Sequence, residues 1–285
     1  MTNLPEIREV WNFSDLDATE QAFRELAEQA ELAGDNSFKL EAITQLARTF
    51  SLRSRFDEAH ELLDSIEDEI TITPVVEVRY LLERGRTFNS ANQQAQALPL
   101  FHRAWEISKQ HQLDDLTVDA AHMVGIAEPD PETQIEWTEK ALAYAEQSTQ
   151  AHVDKWLGAL YNNLGWSYQD NGEYEKALDI FQKSVIWREE KGVSKPLRIA
   201  KWTVARALRS LGRYDEALSQ QLDLLEDYQS TGDEDGFVYE EIGENLLALN
   251  RENEAKPYFA DAYRLLQTIS WVDKNRLERI QSLSQ

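Results

Sequence analysis

The stretch Tyr161-Asn-Asn-Leu-Gly-Trp-Ser-Tyr168, followed by Ala177, Phe181 and Ser184, decides the fold of this chain. Tyr161, the Leu164-Gly165 pair and Tyr168 are spaced as residues on one face of a helix. Ala177, Phe181 and Ser184 have the same kind of spacing and indicate a second helix. Asn171-Gly172 between the two segments favours a turn, because glycine can take the left-handed conformation that ends a helix. The stretch therefore predicts two antiparallel helices joined by a tight turn.

The same skeleton recurs along the whole chain. The small residue of each second helix falls at a nearly constant interval, at Ala59, Ala97, Ala177, Ala217 and Ala255. Because the interval between Ala97 and Ala177 is twice as long as the others, it hides one more copy, and the sequence predicts about six helical hairpins. A fixed period of this kind predicts a solenoid, in which each repeat packs on its neighbours and offers a recognition surface.

The repeats are continuous, so we expect one solenoid domain spanning residues 1–285. It divides into an N-terminal capping helix within 1–39, about six repeats within 40–268 and a C-terminal capping helix within 269–285. Capping helices are expected because the outer face of a terminal repeat must be covered.

Helix boundaries are marked by proline and by capping residues. Asp57 is a candidate N-cap, and Pro74 is placed to start a helix. The third repeat, roughly 114–149, departs from the pattern because Glu128-Pro-Asp-Pro131 ends its first helix. Its small residue is replaced by Thr133 or Gln134, depending on the register.

These repeats resemble the tetratricopeptide repeat over nearly the whole chain. The lengthened unit, with Asn162-Asn163-Leu164-Gly165 and Trp187-Arg-Glu-Glu-Lys-Gly192, looks most like the long-repeat subgroup of kinesin light chains and bacterial peptide-pheromone receptors. The resemblance implies an all-α, right-handed α-α superhelix. It also implies that the first helix of each repeat lines a concave groove that holds a partner peptide. Arg84 departs from the family pattern, so either the register slips there or its stem carries the charge outward.

Composition narrows the class of partner. The net charge is −23, from 52 acidic and 29 basic residues, which argues against non-specific nucleic-acid binding and against an anionic membrane surface. There are no cysteines, so disulfides and thiolate metal sites are excluded. Without a visible signal peptide or an apolar run of about 18 residues, a cytoplasmic location is expected.

No motif for catalysis or cofactor binding appears in the sequence. There is no P-loop, nucleophile elbow, dinucleotide fingerprint or helical zinc motif, and the five histidines are scattered without ligand spacing. We therefore expect a non-catalytic protein with no cofactor and no metal site.

The positions that line the groove in this family give a set of candidate binding residues. Carried onto this sequence, they are Arg48, Arg79, Arg86, Asn162, Asn163, Trp166, Trp202, Arg206 and Arg209. The run from Lys191 to Arg213 holds seven basic residues and no acidic one, a local reversal of charge in an acidic protein. The groove positions of repeat six are Phe237, Glu240, Glu241 and Glu244, so this end of the groove is expected to be acidic.

Two interpretations of the arginines stay open. They form a groove for an acidic or C-terminal peptide, with Asn162 and Asn163 bonding its backbone, or they pair within the chain, Arg206 with Glu244 and Arg86 with Asp119. The first interpretation predicts an interaction module for a peptide or protein segment. The alternatives are a regulatory receptor for a small signalling peptide and, less favoured, an enzyme or enzyme accessory.

The tryptophans outside the groove are expected to pack. Trp105, Trp137 and Trp187 fall on second helices and predict contacts within the core or between repeats. Trp11 and Trp271 are expected to anchor the two caps.

Overall fold

The computed structural model describes residues 4–285, which form α-helices joined by short turns. Each helix is numbered in chain order. The helices are α1 (Ile7–Val10), α2 (Leu16–Leu32), α3 (Asn36–Leu52), α4 (Phe56–Asp64), α5 (Pro74–Ser90), α6 (Gln94–Gln110), α7 (Asp114–Ala127), α8 (Pro131–Gln147), α9 (Leu157–Asp170), α10 (Tyr174–Lys191), α11 (Ser194–Ser210), α12 (Tyr214–Ser230), α13 (Gly236–Ala248), α14 (Glu252–Leu266) and α15 (Lys274–Leu283). Short 3-10 helices span Glu67–Ile72 and Val153–Trp156.

The chain forms two compact units, Met1–Leu160 and Tyr161–Gln285. In the first unit, as far as it is described, the hairpins α3–α4, α5–α6 and α7–α8 follow α2, and the boundary between the units falls inside α9. The second unit holds the hairpins of α10 with the rest of α9, α11–α12 and α13–α14, and then α15. The assignment of all residues to one domain stays a prediction. Residues 1–3 of the predicted N-terminal cap lie outside the described residues.

Close packing of a glycine on a phenylalanine sets the register of the hairpins. A Cβ added at Gly85 would lie 2.5 Å from the ring of Phe101, and one at Gly243 would lie 2.8 Å from the ring of Phe259. Because glycine has no side chain, the ring packs directly on the backbone of the first helix. The phenylalanine is the eighth residue of each of these second helices.

The third hairpin follows the same register with different residues. Its second helix begins at Pro131, with the side chain of Asp130 accepting a hydrogen bond from the backbone N–H of Thr133 at 2.8 Å. The eighth residue is therefore Thr138, and a Cβ at Gly125 would lie 2.8 Å from its Oγ1. Counted in this way, Gln134 takes the place of the small residue, which decides between the two sequence alternatives.

The prediction that Asp57 caps α4 is wrong. The helix begins at Phe56, and Arg55 occupies the N-cap position without a side-chain capping bond. Asp57 lies in the first turn instead, where its charge suits the helix dipole. Arg55 pairs with Glu58, with Nη2 2.6 Å from Oε2. The same pairing opens two other second helices, as Arg213–Glu216 and Arg251–Glu254.

Other boundary residues behave as the sequence indicates. Pro74 is the first residue of α5, and Thr73 caps it by accepting a hydrogen bond from the N–H of Val76. The register does not slip at Arg84, whose Nε donates to the hydroxyl of Tyr80 at 2.9 Å and whose guanidinium pairs with Asp64. The stem therefore carries the charge to a surface partner.

The two expected cap anchors differ in burial. Trp11 donates from Nε1 to Oε1 of Gln45 at 3.0 Å and packs edge-on against Phe23. Trp271 stacks on Phe237 with ring centroids 5.5 Å apart but keeps 71% of its surface exposed. Trp11 is thus an internal anchor, whereas Trp271 presents a large apolar ring to solvent.

Candidate functional site

The candidate residues divide between the two units. Arg48, Arg79 and Arg86 lie on first helices of the first unit, and the other six lie on α9 and α11 within the second unit.

In the first unit, a buried carboxylate holds two of the candidate arginines. Glu83 is 3% exposed and lies 3.4 Å from Nη1 of Arg48 and 2.7 Å from Nη1 of Arg86. Nε2 of Gln45 donates to the same carboxylate at 3.2 Å. Arg86 also pairs with Asp119, which confirms that predicted contact. The four charged groups are balanced, two positive and two negative.

Burial shapes the ionisation of this network. Burial, followed by repulsion from Arg86, lowers the pKa of Arg48, whose Nε is buried without a hydrogen-bond partner. Arg79 pairs with Glu41 at 3.0 Å, and burial raises the pKa of that carboxyl group despite the neighbouring guanidinium. All three arginines of the first unit are therefore engaged within the chain.

In the second unit, one carboxylate is shared by two candidate arginines. Arg209 forms a bidentate ion pair with Glu241, in which Nε donates to Oε2 at 2.7 Å and Nη2 donates to Oε1 at 2.9 Å. Arg206 approaches the same carboxylate at 3.4 Å and donates from Nη1 to the hydroxyl of Ser210 at 2.6 Å. Arg206 is thus paired with Glu241 and not with Glu244, the partner that the repeat alignment predicted.

Helix α15 explains this difference. It brings Arg276 to Glu240, with bonds of 2.8 and 2.6 Å, and Arg279 to Glu244. The acidic end expected from repeat six is therefore neutralised by arginines from α15.

Arg206 is the surplus cation of this group. Four arginines face three glutamates among residues 161–285 of this cluster, and Arg206 has the weakest hold on its shared carboxylate. Burial, followed by repulsion from Arg209, lowers the pKa of Arg206. A positive charge with an incomplete counter-charge is suited to an incoming anion.

Four rings form a continuous row in the second unit. The centroids of Trp166 and Trp202 are 6.1 Å apart, those of Trp202 and Phe237 are 6.5 Å apart, and Phe237 is 5.5 Å from Trp271. We call this set the aromatic row. Nε1 of Trp202 donates to the backbone carbonyl of Phe237 at 3.2 Å, which fixes the indole.

The sequence indicates three of the four rings as groove residues. Trp166 and Trp202 are predicted binding residues, and Phe237 falls at a groove position of repeat six, whereas Trp271 is expected only to anchor the cap. The available signal is the nearly regular spacing of the four rings along the sequence. This spacing is slightly shorter than the repeat, so Trp166, Trp202 and Phe237 lie progressively nearer the starts of their helices, and Trp271 lies just before α15.

A cavity of about 310 Å³ opens beside the aromatic row. Its walls include Trp202, Phe237, Trp271, Ile199 and Arg276. Ile199 is 49% exposed, and the guanidinium of Arg276 lies 5.2 Å above the Phe237 ring while it pairs with Glu240. Asp235 also lines the cavity, and it accepts hydrogen bonds from the hydroxyl of Tyr228 at 3.1 Å and from the backbone N–H of Phe237 at 2.9 Å. The cavity is therefore largely apolar, and both of its charged groups are engaged within the chain.

Asn162 and Asn163 lie on α9, about one turn before Trp166. Nδ2 of Asn162 donates to Oδ1 of Asn163 at 3.3 Å, and both side chains are half-buried. An amide side chain both donates and accepts hydrogen bonds, so this pair has the chemistry to bond a peptide backbone.

Within residues 4–285, no three His, Asp or Glu side chains come together in a way that could hold a metal ion. In the same part of the chain, no helix is long and apolar enough to cross a bilayer.

Comparison with known proteins agrees with this architecture. A family described as "Tetratricopeptide repeat" matches residues 157–191. The apo form of RapI is similar over 94% of this chain and 76% of its own, with 14% identity and a TM-score of 0.78. A putative kinesin light chain from Podosopora anserina covers 69% of this chain and 98% of its own, with 19% identity and a TM-score of 0.56.

A third similar structure is a signal transduction ATPase with numerous domains from Pyrococcus horikoshii, described as having a tetratricopeptide repeat sensor. It is 14% identical over 95% of this chain and 42% of its own, with a TM-score of 0.72. No curated protein matches the sequence.

Repeated helical hairpins packed in register define the all-α solenoid class, as the sequence predicted. The repeat match at residues 157–191 and the similarities to solved structures agree with this fold, and residues 157–191 form a tetratricopeptide repeat.

Proposed function

We propose that this chain is a protein–protein interaction module that holds a peptide or protein segment on the first-helix face of its second unit. The observation that carries the proposal is the aromatic row, which ends in the exposed Trp271, together with the surplus cation Arg206, which lies on α11 about one turn after Trp202. Monomeric proteins rarely leave large rings and an adjoining apolar cavity open to solvent without a binding role.

The chemistry of the partner follows from these two features. An extended peptide rises by about 3.3 Å per residue, so its alternate side chains are spaced at about twice that distance. The rings of the aromatic row have a similar spacing, from 5.5 Å between Phe237 and Trp271 to 6.5 Å between Trp202 and Phe237. An extended segment with apolar side chains therefore suits the row. An acidic side chain or a C-terminal carboxylate on that segment suits Arg206.

The six candidate residues of the second unit receive separate roles in this proposal. Trp166 and Trp202 supply apolar contact area, and Asn162 and Asn163 bond the partner backbone. Arg206 supplies charge, while Arg209 holds Glu241 in place. Arg48, Arg79 and Arg86 of the first unit are assigned to internal ion pairs, because each is already engaged by a carboxylate.

The proposed role is recognition and not turnover. The side chains that converge in the second unit are rings, amides and guanidinium groups. A guanidinium does not lose its proton in proteins, so these groups bind and orient a partner without serving as acid or base.

The test is a peptide-display selection on the wild-type protein with a counter-selection on a Trp202→Ala/Arg206→Gln variant. Arg213→Gln is the matched control, because Arg213 lies just after α11 and pairs with Glu216 outside the aromatic row. The proposal expects peptides with alternating apolar residues and one acidic group, lost with the double variant and kept with the control. Selected peptides that bind the double variant equally would contradict it.

Small-angle scattering distinguishes a plain interaction module from the alternative, a regulatory receptor for a small signalling peptide. A regulatory receptor would become more compact on binding its peptide, whereas a plain interaction module would keep its radius of gyration. A clear decrease with a selected peptide would therefore favour the receptor.

A further inference from the structure

A second cavity, of about 490 Å³, lies in the second unit between the second helices α10 and α12, with α11 as its floor. Val185 and Ile186 of α10 face Leu224 of α12 across it, above Val204. We call this space the second-unit seam. It is separate from the 310 Å³ cavity beside the aromatic row, with which it shares no lining residue.

The first unit has the equivalent space between α6 and α8, and aromatic side chains fill it. The rings of Trp105 and Trp137 meet edge-on with centroids 5.5 Å apart. His102 lies 5.0 Å from Trp137, and Tyr144 lies 5.9 Å from Trp105. We call this space the first-unit seam, and its filling confirms the predicted inter-repeat packing of Trp105 and Trp137.

The two seams can be compared residue by residue, because their helices share one register. Each seam is formed by two second helices, α6 and α8 in the first unit and α10 and α12 in the second. The earlier helix contributes its ninth and twelfth residues, and the later helix contributes its seventh and fourteenth. In the first unit these residues are His102, Trp105, Trp137 and Tyr144, and in the second unit they are Gln182, Val185, Gln220 and Asp227. The second-unit seam is therefore open where four smaller or more flexible side chains replace aromatic ones.

The charge at the rim also changes sign. In the first unit, Nζ of Lys140 lies 4.2 Å above the ring of Trp137. The equivalent residue of α12 is Asp223, an exposed carboxylate that lines the second-unit seam. In addition, Ile186 takes the place of the exposed Glu106 and is itself 57% exposed. Two other charged residues line the seam, and each has a partner within the chain: Lys201 pairs with Glu189 at 3.7 Å, and Asp227 pairs with Arg198 at 2.6 Å. The open seam is thus extended by an apolar residue and edged by the carboxylate of Asp223.

We propose that the second-unit seam is a docking site for one aromatic side chain on a helix of a partner protein, next to a basic residue that pairs with Asp223. The first-unit seam shows which chemistry fits, because the same backbone framework closes there around indole rings and an ammonium group. The reversed charge of Asp223 places the cation on the partner. This site lies between second helices, so it goes beyond the function proposed for the first-helix face.

Docking of a tryptophan agrees with how interfaces distribute their binding energy. Tryptophan is enriched among the few residues that dominate affinity, and these residues fill pockets that exclude water. The volume of the second-unit seam, about 490 Å³, falls within the range typical of binding pockets.

The probe is a synthetic helical peptide of about 15 residues, built on alanine and lysine, with one Trp and a Lys four residues after it. A second peptide has Ala in place of the Trp, and tryptamine serves as the small-molecule probe. Binding is followed by NMR shifts of backbone amides and by calorimetry on the full chain. We expect a Kd of roughly millimolar or tighter for the Trp peptide, with shifts at Val185 and Leu224.

Two variants test the site by different routes. Val185→Trp restores the residue of the first-unit seam and should abolish binding by filling the space. Asp223→Lys leaves the seam open and should weaken binding of the Trp peptide about two- to fivefold. Glu226→Lys is the matched control, because it makes the same charge change on an exposed position of α12 outside the cavity and should have a smaller effect.

Several results would overturn the proposal. One is equal binding of the Ala peptide, and another is unchanged binding by the Val185→Trp variant. Tryptamine binding tighter than the Trp peptide would assign the seam to a small molecule. A dimer of this chain that Val185→Trp dissociates would assign it to a second copy.

Discussion

The two units of this chain use the same helical hairpins in opposite ways. In the first unit, the charges of the first helices neutralise one another around Glu83, and aromatic rings fill the seam between α6 and α8. In the second unit, Arg206 shares its carboxylate, Trp271 is exposed, and the seam between α10 and α12 is open. One backbone framework is therefore closed or open according to the side chains at a few repeat positions.

This difference indicates that the two units have different roles. The filled seam and the paired charges of the first unit stabilise the fold, because their rings and charges are already in contact with one another. Open positions leave apolar area and charge that a partner can cover. The comparison therefore predicts that substitutions in the first unit mainly change stability, whereas those in the second mainly change binding.

The largest expected effect on stability follows from removing the negative charge of Glu83 in the first unit. Glu83→Gln should destabilise the protein by about 3–5 kcal/mol, because Arg48 and Arg86 would be left buried with one carboxylate fewer. Urea unfolding followed by circular dichroism measures the change. Glu254→Gln, which breaks an exposed pair with Arg251, should change stability by only about 0–1 kcal/mol. Equal effects of the two variants would contradict the idea of a closed first unit.

A slightly smaller effect is expected from opening the first-unit seam. Trp105→Val places there the residue found in the second unit and should destabilise the chain by about 2–4 kcal/mol, because most of a buried indole is removed. If the two seams are equivalent, the variant should also gain binding of the Trp peptide. Calorimetric titration of the variant measures this gain. A folded variant that binds the peptide no better than wild type would show that the two seams are not equivalent.

The next expected effect is a gain in stability in the second unit. Gln221 is fully buried, and neither atom of its amide group has a hydrogen-bond partner. It is the eighth residue of α12, where α4 has a buried Leu63 and α10 has Phe181. Gln221→Leu should therefore stabilise the protein by about 1–2 kcal/mol, because an unsatisfied buried polar group is removed. The same change at the exposed neighbour Gln220 should alter stability by less than about 0.5 kcal/mol, and a fall in melting temperature for Gln221→Leu would contradict the prediction.

The hairpins could be predicted from the sequence because their signals are local. Pro74 and Pro131 mark helix starts, and the turn at Gly172 takes the left-handed conformation with φ 78°. The recurring glycine and phenylalanine set the packing register without knowledge of the rest of the fold.

The pairing of charges could be predicted only in part, because the expected pair Arg86–Asp119 forms but the expected pair Arg206–Glu244 does not. Glu241 and Glu244 lie about one turn apart on α13, so a small shift between helices decides which of them Arg206 reaches. Arg276 and Arg279 of α15 then take Glu240 and Glu244, and nothing in the repeat pattern indicated that the cap supplies these partners. The open seam was missed because it appears only when side chains from consecutive second helices are compared.

The smallest expected effect concerns pH and belongs to the first unit, which holds all five histidines of the chain. Burial lowers the pKa of His122 despite the opposing charge of Asp119, and Arg86 adds to the lowering. The ring of His122 lies 5.7 Å from that of Trp156. Below the ordinary histidine pKa of about 6.5, the unfolded chain therefore binds a proton that the folded chain does not. Stability should then fall as the pH drops from about 6.5 toward the lowered pKa of the folded state.

His122→Phe should reduce this loss of stability between about pH 6.5 and 5, by less than about 1 kcal/mol, while it keeps an aromatic ring against Trp156. Urea unfolding of both proteins at several pH values in that range measures the difference in slope. His111→Phe is the control, because it makes the same substitution at an exposed residue that follows α6. If the free energy of unfolding depends on pH in the same way for wild type and His122→Phe, His122 does not contribute to the acid sensitivity. A reduced slope would confirm that burial in the closed first unit makes this ring sensitive to acid.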